Sequence, residues 1–165
     1  MKHLGFSIVG GLLTFGCLVQ TVAAPIPIVV WNATPSVPVG LYRRSFERNA
    51  RNSWVLVWPP AAMAKLASER GYLPRSVPMI KRIAAVNGDR VCRFQHDVTI
   101  NGQQIGPVLS RDSRGRTLPN WRGCFTIRDD QVFLIGDMAT SFDSRYFGPI
   151  ARSYIIEGLV PLWTF

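Results

Sequence analysis

Lys81 and Ser36 are the two residues of this chain whose types and settings suit bond-breaking chemistry. Lys81 lies in Val77-Pro78-Met79-Ile80-Lys81-Arg82-Ile83-Ala84-Ala85-Val86, a mostly apolar run that predicts a buried strand. Strand alternation puts Lys81 on one face with Val77, Met79 and Ile83, and Arg82 on the other. An ammonium forced among apolar side chains loses its solvation. Its pKa then falls from about 10.4 toward the range in which a neutral amine acts as a base. Arg82 has no such option, because a guanidinium stays protonated. A neutral lysine needs a partner to deprotonate, and Ser36 is the leading candidate. Taken singly, neither residue stands out: a serine between two prolines is usually a loop residue, and a strand lysine usually snorkels to water. The only histidines, His3 and His96, lie before the apolar N-terminal segment and in a polar turn, so both are expected to be surface residues.

The elements that must position this pair are mostly short strands. Ser53–Trp58 is a β-rich run stopped by Pro59-Pro60, and Ala61–Arg70 predicts one short helix with Gly71 as its stop. The lysine strand follows and ends at the turn Asn87-Gly88-Asp89. Arg90–Phe94 and Asp97–Ile100 predict short strands before the Asn101-Gly102 turn. From Gly106 to Gly123 the pattern is polar and irregular; Gln131–Ile135 and Ile155–Leu162 complete the strands. The expectation is a mainly β fold with one short helix, and 165 residues suffice for one such domain.

Charge divides the chain. After Lys2 there is no Asp, Glu, Lys or Arg before Arg43, and Leu4–Val30 is dominated by apolar residues and glycine. That pattern predicts a signal peptide or membrane anchor over residues 1–30, and the folded domain over 31–165. Thr21-Val22-Ala23 and Val22-Ala23-Ala24 are acceptable small-residue cleavage sites, whereas the surroundings of Cys17 match a lipid-modified cysteine poorly. An exported domain would keep Cys92 and Cys124, which favours one disulfide worth about 3–4 kcal/mol in the chain-entropy account. The net charge of +9 suits anionic lipid head groups. With no basic run interleaved with aromatics and no zinc-ligand spacing, no specific nucleic acid partner, metal or cofactor is expected.

Three segments in order carry a resemblance. They are Asn32-Ala33-Thr34-Pro35-Ser36-Val37-Pro38-Val39-Gly40-Leu41-Tyr42, then Ile80 to Val91 around Lys81, then Val132-Phe133-Leu134-Ile135-Gly136-Asp137 with Ser141-Phe142-Asp143-Ser144-Arg145-Tyr146-Phe147-Gly148. Together they resemble the type I signal peptidase family, and the Ser-x-Pro-x-Gly-Leu-Tyr form looks most like its TraF branch, found in conjugative transfer systems. Val37 stands where general signal peptidases carry methionine, and Gly136-Asp137-Met138-Ala139-Thr140-Ser141 departs from their Gly-Asp-Asn block. Both departures fit the TraF branch better.

The resemblance implies a Ser/Lys dyad protease, with Ser36 as nucleophile and Lys81 as general base. It implies that Thr34 helps the Ser36 backbone N–H form the oxyanion hole, that Ser141 positions the lysine amine, and that Asp143 supports the site, by pairing with Arg145 or orienting nearby groups. Asp137 reads most simply as a turn or backbone-capping residue. The implied place is the periplasm, at the outer face of the inner membrane. The implied partners are membrane lipids and an exported substrate such as a propilin, cut beside small residues and released linear or cyclised. Two other functions stay open: a minor general signal peptidase, and a non-catalytic membrane-anchored assembly factor of a conjugation system.

Overall fold

The computed structural model describes residues 29–165; the predicted signal or anchor segment lies outside them, except for its last two residues. Among the described residues no helix is long and apolar enough to cross a membrane. The chain runs through β1 (Val29–Asn32), β2 (Gly40–Ser45), β3 (Trp54–Val57), helix α1 (Ala61–Glu69) and β4 (Met79–Ala85). Then come β5 (Arg90–Phe94), β6 (Asp97–Ile100), β7 (Gln103–Pro107), β8 (Gly123–Thr126) and β9 (Gln131–Ile135). Helix α2 (Ser144–Phe147), β10 (Ile150–Ala151), a 3-10 turn at Arg152–Tyr154 and β11 (Ile155–Thr164) complete it.

The expected mainly β architecture is what forms, with β1, β2, β7, β8 and β10 added to the expected strands and two further differences in detail. Helix α2 is a second helix, of four residues, too short to leave a periodic signal. Its start is set by Asp143, whose carboxylate accepts the Arg145 backbone N–H at 3.1 Å. The other difference lies at the N-terminal boundary. Val29 and Val30 pair with Arg43 and Tyr42, so the last two residues of the run assigned to the apolar segment lie in a paired strand.

A seven-stranded antiparallel sheet has the order β1-β2-β11-β3-β4-β9-β10, and a four-stranded sheet has the order β7-β6-β5-β8. Strand β4 sits between β3 and β9, buried on both faces, which is why its sequence is nearly continuous in apolar residues. Its burial pattern has one interruption, at Arg82. Ile83, Val55, Val57, Val132 and Leu134 pack one cluster around it, while Ala85, Val91, Val98 and Phe133 join the small sheet to the large one. Helix α1 starts behind Pro60 and stops at Gly71, whose φ of 71° is costly for other residues.

Cys92 in β5 lies directly opposite Cys124 in β8, and the two form a disulfide across the small sheet. The irregular segment of 108–122 that follows β7 carries a single bridge, Arg111 to Thr117, and returns to the sheet at this disulfide. Tyr72 and Arg116 both donate to Asp112 there, tying the segment to the end of α1.

Three strands separate β2 from β9 in the large sheet, yet the loop between β1 and β2 touches the end of β9. The Asp137 backbone N–H donates to Ser36 O at 2.7 Å. Strands spaced about 4.8 Å apart in a flat sheet could not meet this way, so the sheet curls. That curl assembles the site.

Candidate active site

Four elements converge on Lys81. The side chain is 4% exposed, on the strand whose Cα partner at that position is Val55. Nζ donates to Ser141 Oγ at 2.9 Å and to Ser36 Oγ at 3.2 Å. Burial strips water from the ammonium and lowers its pKa from 10.5 to about 8; Asp143 and Asp137 oppose the fall and Arg145 adds to it. A lysine in this setting reaches its neutral form near physiological pH.

Ser36 is half-buried in the loop of residues 33–39 that closes the β1–β2 hairpin, whose last register pair is Asn32 with Gly40. Thr34 Oγ1 lies 3.3 Å from Ser36 Oγ. Gly40 has a φ of 147°, and a side chain there would run into the Trp163 carbonyl, so the hairpin can pack against β11 only with glycine.

Ser141 is 4% exposed and follows β9. Gly136 makes its approach possible: a Cβ on Gly136 would overlap both Ser141 Oγ and Ser36 O. Asp143 is fully buried against Arg145, which is 3% exposed. The carboxylate accepts from Arg145 Nη2 at 2.7 Å, from Arg145 Nε at 2.9 Å and from the Gly136 N–H at 2.8 Å. Arg145 Nη2 donates in turn to Met138 O at 2.7 Å. The pair thus braces the segment that presents Ser141. Among the described residues the Asp137 carboxylate caps no backbone group; it lies 3.7 Å from Arg82 Nη2.

The residues singled out in the sequence therefore meet in one place: Ser36, Lys81, Thr34 and Ser141 by contact, Asp143 behind them. Two participants were not singled out. In the sequence Gly136 and Asn32 stand out only as members of the third and first motifs. A cleft of about 600 Å³ opens over Ser36 and Lys81, lined by Leu56, Met79, Ile80, Tyr72, Leu109 and Phe142 among others. Such a cleft, with a serine hydroxyl beside a buried amine, can hold a peptide and attack it.

Residues 1–163 match the family described as signal peptidase, peptidase S26. The chain belongs to that peptidase family. Named relatives are similar over most of its length. A plasmid transfer protein TraF of Escherichia coli is 35% identical over 144 residues, which cover 81% of each chain. The conjugal transfer protein TraF of Agrobacterium tumefaciens (strain 15955) is 36% identical over 146 residues, again 81% of each. A signal peptidase I from Enterococcus faecalis V583 has a TM-score of 0.42 at 18% identity, over 70% of this chain and 100% of that one. Membership makes this S26 peptidase-family chain a serine-peptidase relative, and the TraF kinship ties its relatives to conjugative transfer. No group of three or more His, Cys, Asp or Glu able to hold a metal occurs among the described residues.

Proposed function

We propose that this chain is a serine endopeptidase that matures an exported subunit of a conjugative transfer system, with Ser36 as nucleophile and Lys81 as general base. The observation that carries the reading is Lys81 Nζ at 3.2 Å from Ser36 Oγ, in a setting that brings its pKa to about 8. Neutral Lys81 takes the Ser36 proton as Oγ attacks the scissile carbonyl carbon. The tetrahedral oxyanion is received by the Ser36 backbone N–H and, once turned toward it, the Thr34 hydroxyl. Collapse expels the new amine, which takes the proton from the Lys81 ammonium, and leaves an acyl-enzyme on Ser36. Water, or the substrate's own N-terminal amine, then attacks the ester, giving a linear or a cyclic product.

A propilin is the proposed substrate, since the relatives are named for plasmid and conjugal transfer. The outer face of the inner membrane is the proposed location. Support comes from an exposed row on one sheet face, where Val29 and Trp31 of β1, with Trp163 at the end of β11, stand beside Phe165. Tryptophan and phenylalanine suit the lipid interface, and the net charge of +9 suits anionic head groups.

The test is co-expression with the candidate propilin of the same transfer system and intact-mass measurement. Processing by the wild type, abolished in Ser36→Ala and Lys81→Ala, supports the dyad; a product lighter by one water supports cyclisation. Processing that survives both substitutions rejects the mechanism, and an untouched propilin beside the wild type rejects the substrate.

A further inference from the structure

Asn32 is 7% exposed and spends its whole amide on the nucleophile loop. Its Nδ2 donates to the carbonyl oxygens of Thr34 at 2.8 Å, Val37 at 3.1 Å and Pro38 at 3.0 Å. Two N–H bonds serve three acceptors, so at least one is shared. Its Oδ1 accepts the Thr34 backbone N–H at 3.2 Å and the Thr34 hydroxyl at 3.1 Å. Three carbonyls at one end and an N–H at the other leave only one orientation of the amide that works. The loop so held is the one that carries Ser36. Tyr42, fully buried, adds a second anchor through its hydroxyl on Pro38 O at 2.6 Å.

A hydroxyl has one proton to give. The Thr34 proton goes to Asn32 Oδ1, so toward Ser36 the Thr34 oxygen presents lone pairs only. In the ammonium state the donors then line up in one direction, from Lys81 to Ser36, from Ser36 to Thr34 and from Thr34 to Asn32. When Lys81 loses its proton, Ser36 can swing its own hydrogen to the freed amine. No competing donor then occupies the Ser36 lone pairs needed for attack.

We propose that Asn32 is a positioning residue: it fixes the loop that carries Ser36 and holds the Thr34 proton away from the nucleophile. This rests on the Ser36/Lys81 reading above, because it assigns Asn32 a part in that site. Without Asn32 the loop loses its internal anchor and Thr34 is free to donate to Ser36 Oγ, where it competes with attack.

The experiment uses the full chain and an internally quenched alanine-rich peptide, with hydrogen exchange of residues 33–39 as a second readout. Asn32→Ala is expected to lower kcat about 10- to 100-fold with KM little changed, and to speed exchange in the loop. Thr34→Ser, which keeps the hydroxyl, is expected to stay near the wild-type rate, and the penalty of Asn32→Ala is expected to shrink in a Thr34→Val background. A folded Asn32→Ala with wild-type kcat, or with unchanged exchange at 33–39, overturns the proposal. If Asn32→Ala does not fold, Asn32→Asp decides: it keeps the acceptor for Thr34 and loses the N–H bonds to the loop carbonyls, so faster exchange at 33–39 with lowered kcat supports the proposal, and unchanged exchange overturns it. If the wild type leaves the peptide intact, the proposed activity is what fails, and exchange in Asn32→Ala still judges the clamp.

Discussion

The hydrogen bond from Lys81 to Ser141, at 2.9 Å, is the shorter of the two that the lysine makes within the site. Ser141 thus sets where the amine points, and the free lone pair of a neutral Lys81 is left for Ser36. Its oxygen also accepts a hydrogen bond from the ammonium, and an acceptor for the charged form raises a lysine pKa. Ser141→Ala is expected to lower the Lys81 pKa below its value of about 8 and to reduce kcat about 10- to 100-fold. The chain has only three lysines, Lys2, Lys65 and Lys81, so NMR of labelled lysine follows this titration directly. A Lys81 pKa that stays put or rises in Ser141→Ala contradicts the assignment.

Lys81 also links stability to pH. Its folded pKa of about 8 lies below its unfolded value of 10.5, so the unfolded chain holds this proton more tightly. Below pH 8 the buried charge costs about 3 kcal/mol, and the cost is relieved as pH rises from about 8 to 10.5. Urea unfolding of wild type and Lys81→Met at pH 7 and pH 10 isolates this residue. Wild type is expected to gain up to about 3 kcal/mol on the variant over that interval. A gap that does not change with pH counts against the buried amine. Turnover by wild type is expected to rise with an apparent pKa near 8, as the neutral amine forms.

Gly136 is expected to tolerate no side chain. Alanine there would collide with Ser141 Oγ and Ser36 O, one of them backbone that cannot turn aside. Overpacking of this kind costs about 1–3 kcal/mol, and here it also parts Ser36 from Ser141. Thermal unfolding and peptide turnover of Gly136→Ala check this. A variant with wild-type turnover would show that the close approach is unimportant.

Asp143 and Arg145 should fail separately and differently. Asp143→Ala leaves a guanidinium that is 3% exposed without its carboxylate and is expected to cost about 3–5 kcal/mol. It also removes the largest influence that raises the Lys81 pKa, so that pKa falls further. Arg145→Ala removes an influence that lowers it, so the Lys81 pKa rises. Chemical denaturation together with the lysine titration separates the two effects. Shifts of the same sign in both variants would contradict this electrostatic account.

Much of the molecule is legible in local pattern. The apolar run around Lys81 announces a buried strand because a strand covered on both faces needs no polar alternation. Helix α1 is visible between Pro60 and Gly71, where ring and glycine geometry mark its ends. Cys92 and Cys124 are left to pair once Cys17 is set in the apolar segment, and they do pair. Strands β1 and β2 are less visible, since β1 shares its apolar character with the preceding segment and β2 mixes arginines with its buried Tyr42.

The sequence by itself determined which side chains are present for the chemistry, their order, the S26 family signature they form and the burial of Lys81. Only the tertiary structure decided that they meet. Ser36 lies 45 residues from Lys81, and Ser141 lies 60 residues from it. No local propensity spans such separations; the curl of the large sheet closes them by carrying the β1–β2 loop to the end of β9. The same closure made Gly136 a contact point, because a glycine's missing Cβ matters only when another chain segment fills its place. Asn32 is nearer in sequence to what it holds, but its role depends on burial, since an exposed amide would bond to water instead of to the loop.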